Sequence, residues 1–182
     1  VVGSALVSHI AAMGDAWRDS SERYEGFDVP FTTSCVGVMQ GGIADNVVPE
    51  DCSFNYEFRN LPGTDALAMQ QRVQDEAARL EPSMKAVDAA AGFRFETICA
   101  IPSFLARADE EAVRLAQRLS DETRTSLVAF GTEAGLFHRA GISTVVCGPG
   151  FIDQAHQPDE FVSLDQLARC EAFLQRLAVQ PP

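Results

Sequence analysis

Two side chains in this sequence combine reactive chemistry with a setting a fold could use: a histidine in a loop punctuated by Gly and Pro, and an arginine ending an alternating strand. His156 lies in Cys147-Gly148-Pro149-Gly150-Phe151-Ile152-Asp153-Gln154-Ala155-His156-Gln157-Pro158-Asp159-Glu160. Imidazole is a borderline ligand suited to zinc, and zinc sites draw on just such donors. The competing reading is a solvated loop histidine. His9, on a helix, and His138, near a helix end, have no Cys, His or Asp partner at ligand spacing. Arg59 stands on the polar face of its strand, where a guanidinium fork can hold a carboxylate through two hydrogen bonds. Taken alone, an exposed strand arginine is more often a solvated or cross-strand-paired charge.

Two further stretches have the composition of binding loops. Gln40-Gly41-Gly42-Ile43-Ala44-Asp45-Asn46-Val47-Val48-Pro49-Glu50-Asp51 joins two adjacent strands with more residues than a hairpin needs. Its glycines permit unusual backbone angles and Asn46 offers both donors and an acceptor; a plain surface loop is the alternative. Phe130-Gly131-Thr132-Glu133-Ala134-Gly135 follows an apolar run and opens a helix. Free N–H groups at a helix start favour a carboxylate or oxyanion, whereas an ordinary strand-to-helix turn with Thr132 as N-cap needs no ligand.

The elements that must position these residues follow from periodicity. Leu6, Ile10, Met13 and Trp17 form one apolar stripe, predicting an amphipathic helix over 4–18. Residues 31–39 read as a strand, and 52–59 alternate strictly, sending Phe54, Tyr56 and Phe58 to the core and Glu57 and Arg59 outward. Leu61-Pro62-Gly63-Thr64 breaks that strand, and Thr64 caps a helix over about 65–80 with Leu67, Val73, Ala77 and Leu80 in phase. With a strand over 92–98, the order is the ferredoxin-like pattern without its first, normally central, strand. Beyond 103 the expectation changes to helix (109–120), strand (126–130), helix (133–139) and strand (142–147), the two strands reading as buried parallel ones. Ser163-Leu164-Asp165-Gln166 forms a capping box for a last helix that buries Leu167, Leu174 and Leu177. Two architectures imply two domains, 1–101 and 102–182.

Bulk properties exclude several classes. With 46% apolar residues the chain can build a core, and a net charge of -12 repels phosphate backbones and anionic lipid headgroups. Neither nucleic acid nor a membrane is expected as a partner, and no apolar window approaches the roughly 20 residues of a spanning helix. Cys35, Cys52, Cys99, Cys147 and Cys170 are widely spaced with no Cys-x-x-Cys pair, which fits reduced, mostly buried thiols in a cytoplasmic protein. The chain opens Val1-Val2-Gly3-Ser4 without an initiator Met, so a processed, truncated or excised piece is expected.

Taken in order, the motifs resemble the zinc-dependent aminoacylase and carboxypeptidase family, and within it the acetylornithine deacetylase branch. Gly41-Gly42-Ile43-Ala44-Asp45-Asn46-Val47-Val48-Pro49 is similar to the family's G-G-x-A-x-N-V-V-P loop, and Tyr56-Glu57-Phe58-Arg59-x-Leu61-Pro62-Gly63 to its D-x-R-x-x-P-G strand end, with Glu57 where aspartate is commoner. Both belong to that family's lid, or dimerisation, domain. Gly131-Thr132-Glu133-Ala134-Gly135-Leu136-Phe137, and Cys147-Gly148-Pro149-Gly150 through Ala155-His156-x-Pro158-Asp159-Glu160, resemble the closing part of its catalytic domain. The last is the most specific, because His, Pro and the acidic residues keep order and spacing.

The resemblance implies an α/β fold made of a ferredoxin-like α+β lid lacking its first strand, followed by the C-terminal part of a zinc-peptidase catalytic domain. It implies His156 as a zinc ligand. Asn46 and Arg59 would contact the substrate carboxylate or the developing oxyanion, in the neighbouring subunit's site if the lid exchanges them. Gly131 and Thr132 would line the pocket for the amino-acid end. It further implies two zinc ions, with cobalt as the alternative, bridging a water, a Glu as general base, and hydroxide attack on the amide carbonyl of an N-acyl amino acid such as N-acetylornithine, in arginine biosynthesis. A homodimer through the lid goes with it. The family's first ligand His, bridging Asp, paired Glu and Gly-x-x-Gly-His strand have no counterpart here, so no general base is assigned and the chain alone is expected to be inactive. The readings that compete are a non-catalytic dimerisation or binding module, and a sibling succinyl-diaminopimelate desuccinylase or carboxypeptidase.

Overall fold

The computed structural model describes residues 2–20 and 22–179 of a mixed α/β chain that divides into two compact units, 1–103 and 104–182.

In the first unit, α1 (Val2–Asp19) turns Leu6, Ile10 and Met13 inward, as the helical stripe predicts. Strands β1 (Thr33–Gly41) and β2 (Cys52–Arg59) form an antiparallel hairpin running from the Thr33↔Arg59 pair to the Gly41↔Cys52 pair. Side chains alternate across a strand, so Phe54, Tyr56 and Phe58 share one face. That face packs on a cluster of Leu6, Ile10, Met13, Val73 and Ala77, joined by Trp17, Val36, Leu80 and Phe93. Trp17 meets Phe58 edge-on at 5.5 Å between ring centroids, and the Tyr56 hydroxyl donates to the Gln70 side-chain oxygen at 2.7 Å. An irregularity between Val36 and Val38 slips the alternation of β1 by one residue, so that Val38 faces Asn55 and Met39 faces Phe54.

Two glycines let α1 lie close on this hairpin. A Cβ at Gly3 would reach the Cys52 sulfur at 3.2 Å, and one at Gly14 would collide with the Ser34 hydroxyl, which donates to the Ile10 carbonyl at 2.8 Å. The second helix, α2 (Ala66–Lys85), is capped one residue later than expected. The Asp65 carboxylate accepts from the N–H groups of Leu67 and Ala68 at 2.9 and 3.2 Å, while the Thr64 hydroxyl oxygen is buried without a partner. Leu67, expected on the core stripe, points to solvent at 81% exposure, because at about 100° per residue it lies about 120° around the helix from Val73, at the centre of the buried Met69, Val73 and Ala77 face.

The remaining strands expected from composition do not form. Residues 92–98, 126–130 and 142–147 run without helix or strand, and the hairpin is the one sheet among the described residues. A strand exists only through a neighbour's ladder. Among the described residues no strand lies alongside 92–98, and no ladder joins 126–130 to 142–147. Phe93 nonetheless packs on the core cluster.

In the second unit, α3 (Glu111–Ser120) buries Val113 and Leu119 and packs on α5 (Leu164–Ala178). The Arg176 guanidinium ties their ends together, donating to the Leu119 carbonyl at 2.7 Å and to the Asp121 carboxylate at 2.6 Å. Ser163 caps α5 as expected, accepting from the Gln166 N–H at 3.2 Å. Leu167, Leu174 and Leu177, however, are not buried: 44%, 55% and 40% of their surface is exposed. A helical stripe is buried only where a second layer covers it, and the sheet expected to do so is not formed. A short helix, α4 (Ala134–Arg139), completes the unit, with Glu133 rather than Thr132 at its N-cap position. The cysteines differ from expectation too: all five are free, but Cys35, Cys52, Cys99 and Cys147 are exposed and Cys170 is half-buried. None of them belongs to the apolar core cluster.

Candidate functional site

Arg59 is the last residue of β2 and faces away from the helices, on the same side as Glu57. Its Nε donates to the Glu57 carboxylate at 2.9 Å, both side chains being more than half exposed. Residues two apart on one strand lie on one face, so the alternating pattern itself brings this pair together. Asn46 is exposed in the 42–51 loop, where a turn closes through the Val47 N–H and the Ala44 carbonyl at 3.2 Å. The loop leaves β1 at Gly42, whose φ of 80° suits glycine. Asn46 thus lies beyond one end of the hairpin and Arg59 at the other. At the rise of a strand, the seven steps of β2 amount to about 23 Å.

Gly131, Thr132 and His156 belong to the second unit. Gly131 is exposed, and half-buried Thr132 turns its hydroxyl back onto the Ala134 N–H at 3.4 Å, so the first turn of α4 is capped by its own chain. The segment that carries His156 starts at Gly150, with φ 92°, and passes through a 3-10 turn (Ile152–Gln154). It is pinned to α5 by the Gly150 N–H donating to the Gln166 side chain at 3.3 Å. His156 is exposed and adopts φ 60°, a left-handed conformation unusual for a residue with a Cβ. Its N–H donates to the Glu160 carboxylate at 3.0 Å, and the Glu160 N–H donates to the Gln157 carbonyl at 3.2 Å. Glu160 was visible in the motif, but its task of fixing the histidine's main chain was not; the i to i+4 spacing of a carboxylate after the loop histidine is the signal that could have shown it.

Elsewhere, His138 lies 4.0 Å from the Glu110 carboxylate and against the Phe104 ring, and the His9 Nε2 is buried without a partner. Among the described residues no group of three or more His, Cys, Asp or Glu is placed to hold a metal ion. A zinc site takes three or four protein donors, or three and a water. His156 offers one, so these residues by themselves do not fit such an ion, let alone a pair of them.

Residues 12–180 match the model of peptidase family M20/M25/M40. The chain belongs to this family. Family M20/M25/M40 is a hydrolase family, and within it the chain is similar to acetylornithine deacetylases. It is 39% identical over 155 residues to that of Myxococcus xanthus, covering 84% of this chain and 39% of the relative. It is 31% identical over 156 residues to those of Salmonella arizonae and Salmonella paratyphi B, covering 86% of this chain and 39% of each relative. The chain therefore spans about two-fifths of the length of the curated relatives it matches. No helix among its described residues is long and apolar enough to cross a membrane.

Proposed function

We propose that this M20-family chain forms the downstream part of a metal-dependent amidohydrolase that cleaves N-acetylornithine to ornithine and acetate, a step of arginine biosynthesis in the cytoplasm. The observation that carries this reading is the likeness to acetylornithine deacetylases over 84–86% of the chain, joined to an exposed imidazole in its most specific motif.

In this reading the first unit is the lid and the second the closing part of the catalytic domain. His156 is one zinc ligand, its main chain held by Glu160, and the other donors and the general base come from polypeptide outside these 182 residues. Zinc is among the ions an imidazole donor suits, with cobalt as its substitute. Gly131 and Thr132 line the amino-acid pocket, while Asn46 and Arg59 recognise the substrate carboxylate or the oxyanion. Since those two stand at opposite ends of the hairpin, a small substrate that meets both takes them from two copies, as a homodimer through the lid would provide. The 182 residues alone, with one metal donor, turn over no substrate.

The test is to assay a full-length protein containing these residues against N-acetylornithine and N-succinyl-diaminopimelate, with zinc or cobalt, beside its His156→Ala variant. Hydrolysis of the acetyl substrate that falls at least about a hundredfold in the variant supports the reading. Activity on the succinyl substrate alone moves the protein to the sibling reaction, and a fully active His156→Ala variant refutes the ligand assignment.

A further inference from the structure

The second unit carries two thiols on neighbouring segments that the proposed chemistry does not use. Gln166, Cys170, Phe173 and Leu177 fall at i, i+4, i+7 and i+11 on α5 and so share one helix face. At one end of that face, Gln166 binds the N–H of Gly150. Further along, Phe173 and Leu177 line a groove together with Cys147. Cys170 sits between these two anchor points, and Cys147 is three residues before Gly150, so the segment 147–150 is laid along the face that carries Cys170.

We propose that Cys147 and Cys170 are a redox-active pair that closes to a reversible disulfide on exposure to a peroxide, stapling the start of the His156 segment to α5. The chemistry balances with hydrogen peroxide as the oxidant. One sulfur, as thiolate, attacks a peroxide oxygen; the O–O bond breaks, and the departing hydroxide takes up the proton that the thiol gave away, forming water. The sulfenic acid so formed is attacked by the second sulfur, the S–O bond breaks as the S–S bond forms, and a second water leaves. Exposure of Cys147 gives the oxidant access. Partial shielding of the sulfur first, and the charge of Cys170 second, raise the Cys147 thiol above its ordinary pKa. The inference is independent of the deacetylase reading, since it concerns only the geometry of the second unit.

The experiment treats the full chain with hydrogen peroxide at low protein concentration, alkylates the remaining thiols, and digests with trypsin. Cleavage after Arg139, Arg169 and Arg176 places Cys147 in peptide 140–169 and Cys170 in peptide 170–176. The expected result is those two peptides joined, two mass units lighter than their sum, and separated again by dithiothreitol. The variant with Cys35, Cys52 and Cys99 all changed to Ser, substitutions at exposed positions, should keep the link and lose both remaining thiols together. Cys147→Ser and Cys170→Ser, with circular dichroism matching the unchanged chain, should each abolish it. Both thiols staying fully alkylated in the triple variant, at peroxide doses that oxidise free cysteine, would overturn the proposal. So would a link that joins either cysteine to another partner in the unchanged chain.

Discussion

The main-chain N–H of His156 donates to the carboxylate of Glu160 at 3.0 Å while His156 itself holds φ at 60°. A residue with a Cβ pays roughly 1–2 kcal/mol for the left-handed region, and a hydrogen bond to a charged acceptor returns a comparable amount. Glu160→Ala should therefore release the loop, speeding hydrogen exchange of the His156 amide by about tenfold, the equivalent of about 1.4 kcal/mol. Glu160→Gln keeps an oxygen acceptor and should stay within a factor of about three. Equal exchange rates in the Ala variant and the unchanged chain would show that the carboxylate does not hold this turn.

Ile10 is fully buried in the cluster between α1, α2 and the hairpin, whereas Leu167 on α5 is 44% exposed. Deleting a buried branched side chain removes its transfer energy and leaves a cavity. Ile10→Ala should cost about 2–5 kcal/mol in denaturant unfolding followed through Trp17, and Leu167→Ala less than about 1 kcal/mol followed by circular dichroism. Comparable losses would mean that α5 is covered in solution by a layer these residues do not show.

Gly14 sets two effects of opposite sign against each other. Alanine is better than glycine in a helix by about 1 kcal/mol, but its methyl group would collide with the Ser34 hydroxyl and stand 3.4 Å from the Ser34 nitrogen. Overpacking of this kind costs about 1–3 kcal/mol, so Gly14→Ala should destabilise the first unit. The double variant Gly14→Ala/Ser34→Ala should recover most of the loss in thermal unfolding. A more stable single variant would show that α1 can move away from β1 freely.

Glu122 is held by Arg124, whose N–H and guanidinium donate to its carboxylate at 3.0 and 3.2 Å. The guanidinium bond, followed by the main-chain bond, lowers its pKa to about 2. A carboxyl depressed on folding contributes above its unfolded pKa and loses that contribution as pH falls through its folded value. Titration by NMR should accordingly find the Glu122 carboxyl changing state near pH 2, and Arg124→Ala should return it toward the usual carboxylate range. Because the pair is exposed, 0.5 M salt should weaken the shift.

How far the residues announced their structure depends on what each element needs. Helix α1 was legible because its stripe of Leu6, Ile10, Met13 and Trp17 finds its partners within the same unit, and β2 because strict alternation at Phe54, Tyr56 and Phe58 has one structural meaning. The slip between Val36 and Val38 was not, since it depends on pairing with β2 rather than on any local signal. The apolar runs 126–130 and 142–147 have the composition of strands, but composition cannot supply the neighbour that makes a ladder. At the candidate site, the motif located His156 and Glu160, whereas the backbone angle that joins them emerges only from the folded loop. The thiols misled for the opposite reason: cysteine is commonly a core residue, yet here most of them line the surface.

The seating of α1 on the hairpin has a consequence for how length can vary in this region. Gly3 meets Cys52 near one end of β2, and Gly14 meets Ser34 near the opposite end of the hairpin. Eleven residues of helix span about 16 Å and three turns, so both glycines present to the same side. The helix is thereby indexed to the sheet like a gauge with two notches. Adding or removing one residue between them would rotate one notch by about 100°, and related chains should accept changes of length in the 42–51 loop long before they accept one inside α1.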